Sequence, residues 1–166
     1  MKKLFPIFLV AAGLLLSFCG KDPYAALCNT EYSAGQDSTD RRAIREFIAR
    51  KGMTGVKTTA SGLSYYIYEE GEGQAPRASS VVRVDYRGSF ISDTTGKAFD
   101  SSGVHTSLSM NQVIKGWTEG LQLIKTGGKI RLMIPSHLAY GNCGSAGIPP
   151  NTPLVFDVRL VEIARY

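Results

Sequence analysis

The sequence predicts an α+β fold in which an antiparallel sheet wraps on one short helix. Three observations carry that prediction. Val82, Val84 and Tyr86 alternate with Arg83, Asp85 and Arg87, and Ile130, Leu132 and Ile134 repeat the alternation before Pro135. A period of two marks a strand with one buried face. Clusters of Gly, Pro, Asn and Ser bound these runs, and only one segment between them, about Gln112 to Leu123, suits a helix. Such an element pattern argues for segregated α+β layers and against repeated βαβ units.

The N-terminus lies outside that fold. Met1-Lys2-Lys3 precedes an apolar run from Leu4 to Phe18, interrupted only by Pro6, Gly13 and Ser17. A basic start followed by a short apolar stretch is the pattern of a secretory signal. At about 15 residues the run is shorter than the roughly 20 that a spanning helix needs. It ends Leu16-Ser17-Phe18-Cys19-Gly20. A leucine three residues before a cysteine resembles a bacterial lipobox. That resemblance implies a lipoprotein signal peptide over 1–18 and lipidation of Cys19, which would anchor the chain to a lipid membrane. Phe18 departs from the small residue usual at that place, and plain secretion with another cleavage point is the alternative. Gly20, in place of a retaining aspartate, points to the outer membrane of a bacterial cell envelope, facing the periplasm. Residues 19–37 are polar and aperiodic and read as a flexible tether.

Nineteen basic and fourteen acidic residues give a net charge of +5, which becomes +3 when Lys2 and Lys3 leave with the signal. No polybasic block is present, so nucleic-acid binding lacks its electrostatic footprint. Cys28 and Cys143 remain. In an oxidising compartment they form a disulfide or stay as two thiols. No C-x-x-C pair or Cys/His cluster has zinc spacing, so no metal is expected.

A helical extension is expected over 38–55, with its helix from Ser38 to Lys51. Ser38, Thr39 and Asp40 offer N-cap oxygens, Ile44, Phe47 and Ile48 fall on one face, and Gly52 is a stop. That narrow stripe either packs on the main domain or serves a dimer contact. The main domain spans 56–166, about 110 residues, enough for one core. Its first strand, Leu63 to Tyr68, is aromatic and β-branched and closes at Glu69-Glu70-Gly71-Glu72-Gly73. The two alternating runs are the next strands, and a last strand runs from Leu154 to Ile163.

Trp117, the only tryptophan, stands between Gly116 and Gly120 in Val113-Ile114-Lys115-Gly116-Trp117-Thr118-Glu119-Gly120-Leu121. An indole is a large apolar plate with one N–H donor, and glycines beside it permit close backbone approach. It is a core plate or the floor of a pocket for a flat, weakly polar group. Three further segments accompany it. They are Val84-Asp85-Tyr86-Arg87-Gly88, then Gly96-Lys97-Ala98-Phe99-Asp100-Ser101-Ser102, then Ala139-Tyr140-Gly141 with Gly147-Ile148-Pro149-Pro150-Asn151 and Leu154-Val155-Phe156-Asp157-Val158. In this order and spacing they closely resemble the FKBP-type (immunophilin) peptidyl-prolyl cis-trans isomerases, over about residues 60–166.

That resemblance implies an FKBP-like sheet, strongly twisted into a half-barrel on the short helix. It also implies a pocket. Trp117 would lie under a prolyl ring, with Tyr86, Phe99 and Phe156 as apolar walls and Val113 and Ile148 completing the lining. The Ile114 N–H and the Tyr140 hydroxyl would hold substrate carbonyls. Asp100, at the rim, would accept a hydrogen bond from a donor such as Tyr86. Asp100, Tyr140 and Ile114 thus take the catalytic roles. The stretch His105-Thr106-Ser107-Leu108-Ser109-Met110 stands where the family usually has one or two phenylalanines, and Leu108 is the apolar substitute. Ser145 stands near a histidine of some members. The resemblance implies no cofactor, and as partners unfolded or proline-containing polypeptides of exported proteins, with macrolide immunophilin ligands besides.

The chemistry is consistent with those residue types. Rotation about an amide costs about 18–20 kcal/mol because resonance is lost on twisting, and X-Pro exchange is slow. An apolar pocket disfavours the dipolar planar amide, and fixed donors stabilise the twisted form. No nucleophile is needed: His105, His137 and Cys143 form no convincing constellation, and no G-x-S-x-G occurs. The alternative to an enzyme is a chaperone or peptide-binding module of the same fold with weak turnover or none.

Overall fold

The alternating runs pair into one antiparallel sheet in the computed structural model, which describes residues 32–164. Helix α1 (Ala34–Arg50) comes first. Strands β1 (Lys57–Thr58), β2 (Ser64–Glu69), β3 (Val81–Phe90), β4 (Asp100–Ser101) and β5 (Thr106–Ser109) follow. Then come helix α2 (Lys115–Leu121), β6 (Lys129–Ile134), a 3-10 turn at Ser136–Leu138, and β7 (Leu154–Ile163). The sheet order is β1-β2-β6-β7-β3-β4, with β5 also on β3. The signal run, Cys19, Cys28 and most of the expected tether lie outside the described residues. No helix among the described residues is long and apolar enough to cross a membrane.

The central ladder joins β3 to β7 from Val82↔Ile163 to Phe90↔Leu154, with a register shift after Arg83 that leaves Val161 without an opposite number. An extra residue bends a strand and increases its twist. On one face, Val82, Val84, Ile130, Leu132, Ile134, Leu154, Phe156 and Leu160 form the main core, which α2 covers with Trp117 and Leu121. The other face is covered at one end only. There Met133 and Val155 meet Ile44 and Phe47 of α1 and Ile91. The stripe on α1 therefore packs on the main domain. Further along that outer face Arg131 forks onto Asp157, with Nε–Oδ1 at 2.7 Å and Nη2–Oδ2 at 2.8 Å.

Two helix boundaries correct the sequence expectation. Helix α1 begins four residues earlier than Ser38, because Ser33 is the N-cap and its Oγ accepts from the Gln36 N–H at 3.1 Å. The expected cap hydroxyls of Ser38 and Thr39 instead donate back to the Gly35 carbonyl, at 2.8 and 3.0 Å. Asp40 is buried inside the helix. Helix α2 is shorter than 112–123. Gln112 belongs to a turn closed on Ser109, and beyond Leu121 single turn bonds from Leu123 and Ile124 replace the helix.

Candidate active site

Three pieces of backbone meet over the core face. The first is the β3–β4 pair. Gly88 lies opposite Asp100 and Arg87 opposite Ser101. Just beyond, Ser102 locks onto Tyr86, receiving the Tyr86 N–H on Oγ at 2.8 Å and donating its own N–H to the Tyr86 carbonyl at 3.0 Å. This places the Tyr86 hydroxyl against Asp100, to which it donates at 2.8 Å. Burial, and then the Asp100 carboxylate, push the Tyr86 phenol up to about 12. Tyr86 is thus a fixed donor, with its ring near-perpendicular to the indole.

Helix α2 brings the second piece. Trp117 is only 4% exposed, and two rings meet it at near right angles. Tyr86 does so at 5.2 Å and 83°, Phe156 at 5.2 Å and 85°. These T-shaped contacts are the favoured geometry for aromatic quadrupoles. The flanking glycines work on the far side of the helix. A Cβ at Gly116 would stand 2.5 Å from the Ile134 side chain, and one at Gly120 would collide with Leu132. The glycines therefore let α2 settle on β6, which sets the depth of the indole. Among the described residues the Trp117 indole nitrogen has no hydrogen-bond partner. Ile114 is the extended residue at the start of α2, and the Thr118 hydroxyl holds the preceding segment through the Met110 carbonyl at 2.6 Å.

The third piece is the loop after β6. The 3-10 turn ends at Leu138, and Tyr140 follows with 37% of its surface exposed. Burial and then Asp100 raise its phenol above the ordinary value, so it stays protonated, and a donor, throughout the physiological range. Together these pieces enclose a cavity of about 220 Å³ lined by Tyr86, Asp100, Leu108, Gln112, Val113, Ile114, Trp117, Tyr140 and Phe156. A broader groove of about 740 Å³ lies on the outer face, among Tyr68, Arg87, His105, Arg131 and Arg159. Within it His105 Nδ1 lies 2.6 Å from Asp85 Oδ1, and Arg131 pairs with Asp157.

The family described as FKBP-type peptidyl-prolyl cis-trans isomerase matches residues 72–161, more than half of the chain. The chain belongs to that family. It is 43% identical over 152 residues to the FKBP-type peptidyl-prolyl cis-trans isomerase FkpA of Escherichia coli K12, covering 90% of this chain and 54% of that protein. The crystal structure of Escherichia coli FkpA superposes with a TM-score of 0.68 at 47% identity, over 78% of this chain and 60% of the other. A peptidyl-prolyl cis-trans isomerase from Pseudomonas syringae pv. tomato matches with a TM-score of 0.65 at 37% identity, over 82% and 99%. The chain spans about half the length of the curated FkpA it matches.

Within this FKBP-type domain, most of the residues singled out in the sequence converge on the small cavity. Two do not line it. Phe99 stands behind Phe156, at 5.7 Å and 86°, and stacks on Phe90 at 5.0 Å. It reaches that place because Gly88 has no Cβ; one would run into both the Phe156 and the Phe99 rings. Ile148 is buried in the main core, turned under by the tight turn in which Ser145 and Ile148 exchange backbone hydrogen bonds at 2.9 and 2.8 Å. Gln112 lines the cavity and is not singled out by the sequence, since a polar residue following Asn111 carries no periodic signal. Cys143 is disulfide-bonded; Cys28, which the sequence leaves either bridged to it or as a thiol, lies outside the described residues. His137 approaches the Ser61 carbonyl through Nε2 at 3.0 Å. Among the described residues no group of His, Cys, Asp and Glu is arranged to hold a metal ion.

Proposed function

We propose that the chain is a peptidyl-prolyl cis-trans isomerase acting on proline-containing segments of exported, incompletely folded polypeptides. The observation that carries this reading is the cavity itself, in which the indole meets Tyr86 and Phe156 at near right angles and Asp100, Gln112 and Tyr140 are the polar members of the lining. A prolyl ring entering it leaves its amide among apolar rings, where the more dipolar planar amide loses solvation relative to the twisted one. The Tyr140 hydroxyl and the Ile114 N–H then hold the flanking carbonyls, and donors already in place need no reorganisation as the bond turns. Asp100 holds Tyr86, which keeps the wall upright. Phe99 buttresses Phe156 from behind, Ile148 supports the loop that bears Tyr140, and Val113 and Leu108 close the remaining side. No covalent step is required, because the barrier of about 18–20 kcal/mol is resonance alone.

Residues 1–18 are proposed as a lipoprotein signal peptide and Cys19 as the lipidated anchor, at the outer membrane and facing the periplasm. The Leu16-to-Cys19 pattern and Gly20 support this. The intact mass of the membrane-extracted protein tests it. A mature chain starting at an acylated Cys19 is expected, and an unmodified terminus elsewhere would refute it. The same mass, two units lighter than the reduced chain, would report a Cys28–Cys143 bridge.

A second reading is a peptide-binding module with little turnover, and Leu108 favours it by standing where an aromatic wall is usual. A protease-coupled assay on several X-Pro peptides separates the two. The isomerase reading expects acceleration that falls in Tyr140→Phe and Trp117→Leu. The binding reading expects no acceleration, yet suppressed aggregation of an unfolded client. Macrolide immunophilin ligands are expected to compete for the same cavity.

A further inference from the structure

We infer that Asp40 of helix α1 is a positioning residue for the isomerase site, holding from behind the loop that bears Tyr140. The inference rests on the isomerase reading and extends it to an element before the family-matched span of 72–161. Asp40 is 0% exposed. Its Oδ2 accepts from the Ser136 N–H at 2.7 Å, the Ser136 hydroxyl at 2.7 Å and the Tyr32 hydroxyl at 3.0 Å. Its Oδ1 accepts from the Gln36 amide at 2.6 Å. The carboxylate is therefore satisfied by four neutral donors, and no cation pairs with it among the described residues. Burying a charge is costly unless every lone pair is used, and an apolar residue would dock a helix at less cost. What the carboxylate adds is direction, because it fixes the orientation of one backbone N–H, that of Ser136.

Ser136 begins the turn that ends at Tyr140. Its carbonyl accepts from the Ala139 N–H at 3.0 Å and the Gly141 N–H at 2.8 Å, so both neighbours of Tyr140 hang on it. The Gly141 carbonyl in turn accepts from Asn151 at 2.8 Å. The Asn151 carbonyl receives a longer bond from Gln36 at 3.4 Å. Helix α1 thus grips the Tyr140 loop at both ends, Ser136 and Asn151. A displacement of about 1 Å at a positioning group is enough to cost up to about a hundredfold in rate.

The test compares three variants of the full chain. In Asp40→Asn the side-chain oxygen takes the Oδ2 position and keeps the Ser136 and Tyr32 bonds, while the Gln36 amide turns to accept from the new N–H2 and gives up its longer bond to the Asn151 carbonyl, so that this variant isolates the grip at Ser136. Asp40→Ala leaves the Ser136 and Tyr32 donors unpaired. Phe47→Ala loosens the same helix away from the turn, within the Met133 and Val155 cluster. At a temperature where all are folded, Asp40→Ala is expected to lower kcat/KM about tenfold, mainly in kcat, and to shift the Gly141 and Ile148 amide resonances. Asp40→Asn and Phe47→Ala are expected to stay within about twofold of the parent, with those two resonances unmoved. Equal losses in Asp40→Ala and Phe47→Ala, or no loss in Asp40→Ala, would overturn the inference. If Asp40→Ala does not fold, Ser136→Ala, which removes one of the bonds, is expected to shift Gly141 and cost about threefold, and a silent Ser136→Ala would overturn it equally. If the parent shows no turnover, the isomerase reading fails by itself, and the Gly141 and Ile148 shifts alone decide whether Asp40 holds the loop.

Discussion

Tyr140 carries the most local claim, one hydroxyl at the mouth of an apolar cavity. Removing it in Tyr140→Phe deletes one donor and leaves the ring. A hydrogen bond of about 1–1.5 kcal/mol corresponds to roughly a tenfold fall in kcat/KM, with little change in melting temperature. The neighbouring Tyr86–Asp100 bond makes a prediction in pH. The Tyr86 phenol is raised from 10.0 to about 12 in the folded chain, so between those values the native state binds more protons than the unfolded one. Its stabilising contribution is whole below pH 10 and is lost as pH rises through 12. Denaturant midpoints measured from pH 9 to 12 should fall with pH in the parent, and fall less steeply in Tyr86→Phe. Equal slopes would contradict the assignment.

Helix α2 shows how an element sets a site without touching substrate through most of its residues. An alanine in place of a helical glycine ordinarily adds stability, about 0.5–1 kcal/mol. At Gly120 the sign reverses, since the new methyl runs into Leu132 at the heart of the sheet. Overpacking of that kind costs about 1–3 kcal/mol, so Gly120→Ala is expected to lower the denaturant midpoint and to change Trp117 fluorescence as the indole shifts. A stabilised variant with unchanged emission would show that the helix has room to spare. The sequence made Trp117 and its glycines conspicuous but not the direction in which the glycines face. They look at β6 rather than at a ligand. Element ends were legible only where local chemistry decides them. The pattern bounds Leu154 to Ile163 correctly, whereas α1 starts from its N-cap Ser33, upstream of the Ser38, Thr39 and Asp40 that the sequence offers as caps. The two-residue strand β4 has no pattern to read, and its place is set by the Gly88 and Tyr86 backbone across from it.

At the scale of the molecule, one twisted sheet carries a site on one face and a docked helix on the other, and the two communicate through Ser136. Most of the cavity was visible in the sequence because its residues fall in short, ordered segments. The Asp40–Ser136 contact was not, since its partners are 96 residues apart and an aspartate in a helical stretch reads as surface or cap. Segment order likewise does not reveal which of two apolar rings stands in front, and Phe99 packs behind Phe156 while Ile148 lies in the main core. Phe47→Ala addresses the helix on the outer face. It is expected to cost about 3–5 kcal/mol of stability in urea unfolding while sparing turnover, and a matching loss of activity would mean that the second core cluster also shapes the site. The central claim is that the indole-floored cavity speeds rotation about X-Pro bonds. Two-dimensional exchange NMR on a proline peptide with catalytic amounts of the full chain tests it most directly. The account predicts cis-trans exchange cross-peaks absent from the peptide alone, with isomer populations unchanged and the cross-peaks lost in Trp117→Leu. Exchange no faster than in buffer, or acceleration that survives intact in Trp117→Leu, would contradict it.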